Sequence, residues 1–176
     1  MTTTLLFLAL LAAANPIRVH AVRPGVVTPQ VLAFASATVL ALGAAFALLS
    51  GPMLGLVDVS VSSARIAAGV ALIVVSVRDA IGPVPQPKPS LVGHRTGIVP
   101  VAFPAALTPP TALLMIAAGA DRGVGLAVAV LAGVLVVVLA ALCSPRLRGL
   151  RPLLAATGAG GVAVGVLVAM DGVLAI

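Results

Sequence analysis

Gly69-Val70-Ala71-Leu72-Ile73-Val74-Val75-Ser76-Val77-Arg78-Asp79 and, 92 residues on, Gly161-Val162-Ala163-Val164-Gly165-Val166-Leu167-Val168-Ala169-Met170-Asp171 open on the same Gly-Val-Ala and close on an aspartate. At an offset of 94, Asn15-Pro16 in Ala13-Ala14-Asn15-Pro16 falls beside Pro109-Pro110 in Leu107-Thr108-Pro109-Pro110. Alanine, valine and glycine align easily by chance, so the repeat rests on the rarer letters: two aspartates at equivalent segment ends and two proline breaks at equivalent depth. The chain reads as two halves that repeat each other.

Working outward, the apolar runs between Pro, Gly and charge clusters predict six helices. They extend from Thr3 to Val22, Val31 to Leu49, Arg65 to Ile81, Gly97 to Ala118, Val124 to Cys143 and Leu153 to Ile176. Each run approaches the ~20 residues that cross a bilayer. Three runs per half is an odd number, so the second half enters the membrane from the opposite side, as in an inverted-topology repeat. The expected fold is an all-α integral membrane protein of six transmembrane helices in two inverted three-helix repeats. Residues 1–82 form the first repeat, 83–96 a linker and 97–176 the second.

Composition agrees. Of 176 residues, 61% are apolar and 8% charged, and the mean hydropathy is +1.29; a soluble domain of this make-up would lack a polar surface. Six helices with short connections use the whole length. Ala12-Ala13-Ala14 before Asn15 resembles a cleavage site, but no positive segment precedes it, so a retained helix is expected rather than a signal peptide.

The basic residues cluster by connection. Arg18 and Arg23 follow the first run, Arg78, Lys88 and Arg95 the third, and Arg146, Arg148 and Arg151 the fifth. The other two connections hold only Arg65 and Arg122, each accompanied by an acid, Asp58 or Asp121. By the positive-inside rule the first, third and fifth connections are cytoplasmic and both termini lie outside. The net charge of +6 therefore reads as a topology signal, and nucleic acid is not an expected partner. Membrane lipids are, with a homo-oligomer or a larger membrane complex as further partners. The linker Gly82-Pro83-Val84-Pro85-Gln86-Pro87-Lys88-Pro89 favours extended polyproline conformation. It reads as a stiff spacer, or alternatively as a ligand for a peptide-binding module.

Proline removes a backbone donor and disfavours helix in the residue before it, so Asn15-Pro16 and Thr108-Pro109-Pro110 should interrupt the first and fourth helices. Breaks at membrane depth persist only where protein or a water-filled cavity satisfies the backbone. Paired breaks in two repeats point to a transport site at the repeat interface. The candidate substrate path is Asn15, Pro16, Arg18, Thr108, Pro109 and Pro110. Asn15 and Thr108 supply side-chain contacts and Arg18 is the candidate partner for an anionic group. The alternatives are two packing kinks, and an arginine whose stem snorkels to the headgroups. Asp79 and Asp171 are candidate gating or proton carboxylates, against a local pair of Asp79 with Arg78. No catalytic constellation, cofactor motif or metal-ligand cluster is found, and an enzyme is not expected. The one cysteine, Cys143, can form no intrachain disulfide and reads as a small residue at a helix end.

Val99-Pro100-Val101-Ala102-Phe103-Pro104-Ala105-Ala106-Leu107-Thr108-Pro109-Pro110, the Asn15-Pro16 break and the six-span layout resemble the MarC family within the LysE superfamily of exporters. Leu8-Ala9-Leu10-Leu11-Ala12-Ala13-Ala14-Asn15-Pro16-Ile17-Arg18 is also similar to the start of the peptidoglycolipid-addressing proteins. MarC members tend to carry Gly-Pro-Gly where this chain has Thr108-Pro109-Pro110. The resemblance implies a bacterial inner-membrane protein of exporter type. The layout points to a small amphipathic or lipid-like envelope substrate, because the polar lining is sparse. A non-transporting subunit or scaffold of an envelope-lipid machine is the alternative.

Overall fold

A computed structural model describes residues 1–22, 28–84, 102, 106–144 and 149–176, and these are mostly helical with no strand among them. The helices are α1 (Thr3–Ala14), α2 (Pro16–Ala21), α3 (Pro29–Leu48), α4 (Ser50–Leu56), α5 (Val61–Ile81), α6 (Pro109–Arg122), α7 (Val124–Cys143) and α8 (Leu150–Val173). Their starts follow local chemistry. Thr2, Thr28 and Ser60 each accept a backbone N–H from the first turn of α1, α3 and α5, and Pro29 occupies the first turn of α3. Between α6 and α7, Gly123 takes φ +84°, a backbone conformation that a side chain resists, and so the chain reverses without a linker.

Among the described residues, four stretches are long and apolar enough to cross a membrane: Thr3–Ala21, Pro29–Leu48, Val124–Cys143 and Leu150–Val173. The pair Ser50–Leu56 and Val61–Ile81, bent by 97°, makes a fifth when counted as one span. Six were expected. At the place of the expected fourth run, α6 has only 14 residues, because Pro109 starts the helix afresh. Most of the run expected before it, residues 97–101 and 103–105, lies outside the described residues. So do Arg23, Lys88, Arg95, Arg146, Arg148 and all of the 83–96 linker beyond Val84. The connection after α3 contains the additional short helix α4. Helix α5 begins four residues before the expected Arg65, because Ser60 caps it.

The exterior is apolar. Val70, Val74, Val77 and Ile81 on α5, Val136 on α7 and Val166, Met170 and Val173 on α8 are all exposed, and with the apolar helices they are compatible with a membrane location. The core gathers around α1, whose Leu6, Ala9, Leu10 and Ala13 are almost wholly buried.

The most extensive helix pair among the described residues is α5 with α8. The two run antiparallel and meet backbone to backbone: a Cβ on Gly158 would stand 2.6 Å from Ala80 N, and one on Gly69 would stand 2.6 Å from Ala169 N and Gly165 O. Glycine permits this approach, and dispersion over the whole seam rewards it. Contacts at the helix ends give the remaining directions. Asn15 at the end of α1 meets Asp79 near the end of α5, Thr108 before α6 meets Ala13, and His20 in α2 meets Ala141 near the end of α7. At the far end, Gly119 of α6 packs on Ala47 of α3. Helices α1, α5 and α7 therefore run one way and α3, α6 and α8 the other.

Candidate functional site

Asn15 has φ 40° and ψ 89°, left-handed, and joins α1 to α2. Its N–H still bonds Leu11 O at 2.9 Å, but Pro16 has no N–H to offer and the turn carries the following amides away. The last carbonyls of α1 lose their helical partners there. Side chains replace them. Ala13 O accepts from Arg18 Nη2 and from Thr108 Oγ1 at 3.3 Å, so a residue of the second break completes the backbone of the first.

Asn15 uses both ends of its amide. Its Oδ1 accepts from Arg18 N at 3.3 Å, which caps α2, and lies 3.3 Å from the Thr157 hydroxyl of α8. Its Nδ2 donates to Asp79 Oδ2 at 2.7 Å. The same oxygen accepts from Arg18 Nη1 at 2.8 Å. Asp79 thus pairs with Arg18, 61 residues away, and not with its neighbour Arg78, which is exposed; adjacent helix residues point to different sides. Arg18, placed by its sequence in a connection, is buried in α2. His20 is buried as well, with Nδ1 2.8 Å from Ala141 O.

The second break has a matching economy. Thr108 is extended, at φ −102° and ψ 163°, as a residue before proline prefers. It forms a reciprocal cap with Thr111: the two hydroxyls lie 2.9 Å apart, Thr108 N donates to Thr111 Oγ1 at 3.4 Å, and Thr111 Oγ1 donates to Ala106 O at 3.3 Å. Pro109 is exposed and Pro110 buried at the start of α6.

The structure therefore brings Asn15, Pro16, Arg18, Thr108, Pro109, Pro110 and Asp79 together at one end of the bundle. Asp171 stands at the other end. It accepts from Arg65 Nη1 at 3.1 Å, while Arg65 Nη2 reaches Asp121 Oδ1 at 2.6 Å; the Met1 ammonium lies 3.4 and 3.3 Å from Asp121 and Asp171. Arg122 Nε adds a contact to Asp121 at 3.3 Å. Arg65 is buried and its Nε has no hydrogen-bond partner among the described residues. Asp58, in the same connection, sits in a turn at φ 51°. From Arg65 to Asp79 along α5 is 14 residues, about 21 Å.

Sequence reasoning missed Thr157, Thr111 and the Arg65–Asp121–Asp171 cluster. Two signals were present. Thr108-x-x-Thr111 has capping-box spacing, and the offset of 92 that pairs Asp79 with Asp171 also pairs Arg65 with Thr157. The arrangement offers one cation and one carboxylate inside a shell of hydroxyls and an amide, which can bind a ligand carrying an anionic group together with donors. No protein-family model, curated protein or solved structure matches this chain.

Proposed function

We propose that this protein is a multi-pass membrane exporter whose substrate path passes the Asn15-Pro16 and Thr108-Pro109-Pro110 breaks. The observation that carries the reading is the bond from Thr108 Oγ1 to Ala13 O: the two breaks meet at a buried carbonyl that Arg18, the partner of Asp79, also holds. A kink needed only for packing is satisfied by a neighbouring hydroxyl and has no use for a buried Arg18–Asp79 pair, whose desolvation is costly.

The inverted repeat draws support from helix direction. Helices α1, α3 and α5 run opposite to α6, α7 and α8 in turn, as the two halves of such a repeat would. The same directions bring the described ends of the first, third and fifth connections to the Asn15 end. On the positive-inside reading that end faces the cytoplasm of a bacterial inner membrane, with both termini outside. The substrate is a small amphipathic or lipid-like envelope molecule, in keeping with an apolar interior that holds few charges. The MarC and LysE resemblance favours export over uptake.

The test is efflux of a fluorescent lysophospholipid from proteoliposomes. The wild-type chain accelerates release, and Asn15→Ala and Arg18→Gln abolish it while inserting normally. Unchanged flux in both variants removes the site. The second reading, a non-transporting subunit of an envelope-lipid machine, draws on the closure of the break by its own side chains. It predicts no flux and stoichiometric co-purification with a membrane partner.

A further inference from the structure

Helix α5 carries Arg65 near one end and Asp79 near the other, about 21 Å apart, and each is held by a helix that follows a break. Asp79 is bound by Arg18 of α2, which begins after Asn15. Arg65 is bound by Asp121 of α6, which begins after Thr108. Asp171, the other partner of Arg65, belongs to α8. That link is of a different kind, because α5 and α8 are joined along their length by backbone contacts: Gly158 on Ser76 and Ala80, Gly165 on Gly69 and Ile73, Gly172 on Ser62 and Ile66. These two helices cannot part at one end without opening contacts that have no side chains to bridge the gap.

We infer that α5 and α8 form a rigid frame, that Arg18–Asp79 and Asp121–Arg65 are the two gates of one path, and that Asn15 and Thr108 are the hinges. The inference rests on the transport reading above. Release of Asp79 frees Arg18 and lets α2 swing about Asn15, opening the first end. Release of Arg65 and the Met1 ammonium by Asp121 lets α6 swing about Thr108 together with α3, which it meets at Gly119 and Ala47, opening the second. Arg65–Asp171 stays closed in both motions as part of the frame. The two hinges meet at Ala13 O, which accepts from Thr108 and from Arg18. Both gates are shut in this structure, an occluded arrangement.

Single-cysteine labelling in proteoliposomes tests this without knowledge of the substrate. In a Cys143→Ser background, Ala14→Cys reports the first gate and Ala118→Cys the second; both positions are buried. A membrane-impermeant maleimide is applied from each side. Asp79→Asn or Arg18→Gln should raise labelling of Ala14→Cys on the order of tenfold and leave Ala118→Cys protected. Asp121→Asn should do the reverse. The exchanged pair, Arg18→Asp with Asp79→Arg, should restore protection of Ala14→Cys, which a misfolded variant cannot do. Protection of both reporters in every gate variant, or labelling of both together, overturns the gates. Flux separates the two proposals: reciprocal labelling with flux intact in Asn15→Ala removes the path and keeps the gates, whereas lost flux without reciprocal labelling keeps the path and removes the gates.

Discussion

The two charged clusters of this bundle are chemically alike and structurally different. At the Asn15 end, Arg18 and Asp79 are 10% and 8% exposed and are woven into a broken backbone, where Arg18 also holds Ala13 O. At the other end Arg65 is equally buried, at 8%, but its carboxylates are 23% and 28% exposed and both partners end regular helices. Among the described residues the first cluster has one carboxylate, whereas the second shares its arginine between two. A buried charge whose carboxylate is removed keeps its desolvation cost and loses its ionic compensation, but one with a second carboxylate keeps part of that attraction.

The comparison can be broken most sharply at Asp79. Asp79→Ala leaves Arg18 without its carboxylate and removes an acceptor from Asn15, which should cost about 3–5 kcal/mol, read as reversible unfolding in mixed detergent–SDS micelles. A loss no greater than that of the second cluster would show that water reaches Arg18. The seam that links the two ends comes next. Gly158→Val places a branched side chain where even a Cβ stands 2.6 Å from Ala80 N; the α5–α8 pair must separate locally, at about 1–3 kcal/mol, in the same assay. Asp121→Ala should have the smallest effect, roughly 1.5 kcal/mol, because Asp171 still holds Arg65. Removing both Asp121 and Asp171 should then cost more than the sum of the single changes, the sign of a shared partner.

What could be read without the structure follows from how far each interaction reaches. The break at Thr108 was legible because proline constrains the residue before it, and that at Asn15 because Pro16 withholds a donor and Asn tolerates the left-handed region. Both are local. The choice of Arg18 over Arg78 for Asp79 was not legible. Nearness in sequence favoured Arg78, but on a helix that neighbour points elsewhere, and the residue that reaches Asp79 comes from another helix. The partners of Arg65 were not legible for the same reason: Asp121 and Asp171 arrive from α6 and α8. The extra helix α4 escaped notice because Gly51 and Pro52 resemble loop residues, although Pro in a first turn is compatible with a helix.

By itself, the amino-acid sequence determined an all-α chain with apolar, membrane-length helices and two proline-bearing interruptions, because hydropathy, proline geometry and capping act within a few residues. Only the tertiary structure decided which charges meet, that the two interruptions touch through Thr108 and Ala13, and that α5 and α8 lock through their glycines. Those outcomes depend on which faces of distant helices are pressed together. A buried charge or an orphaned carbonyl takes whatever partner packing delivers, however far away in the chain it begins.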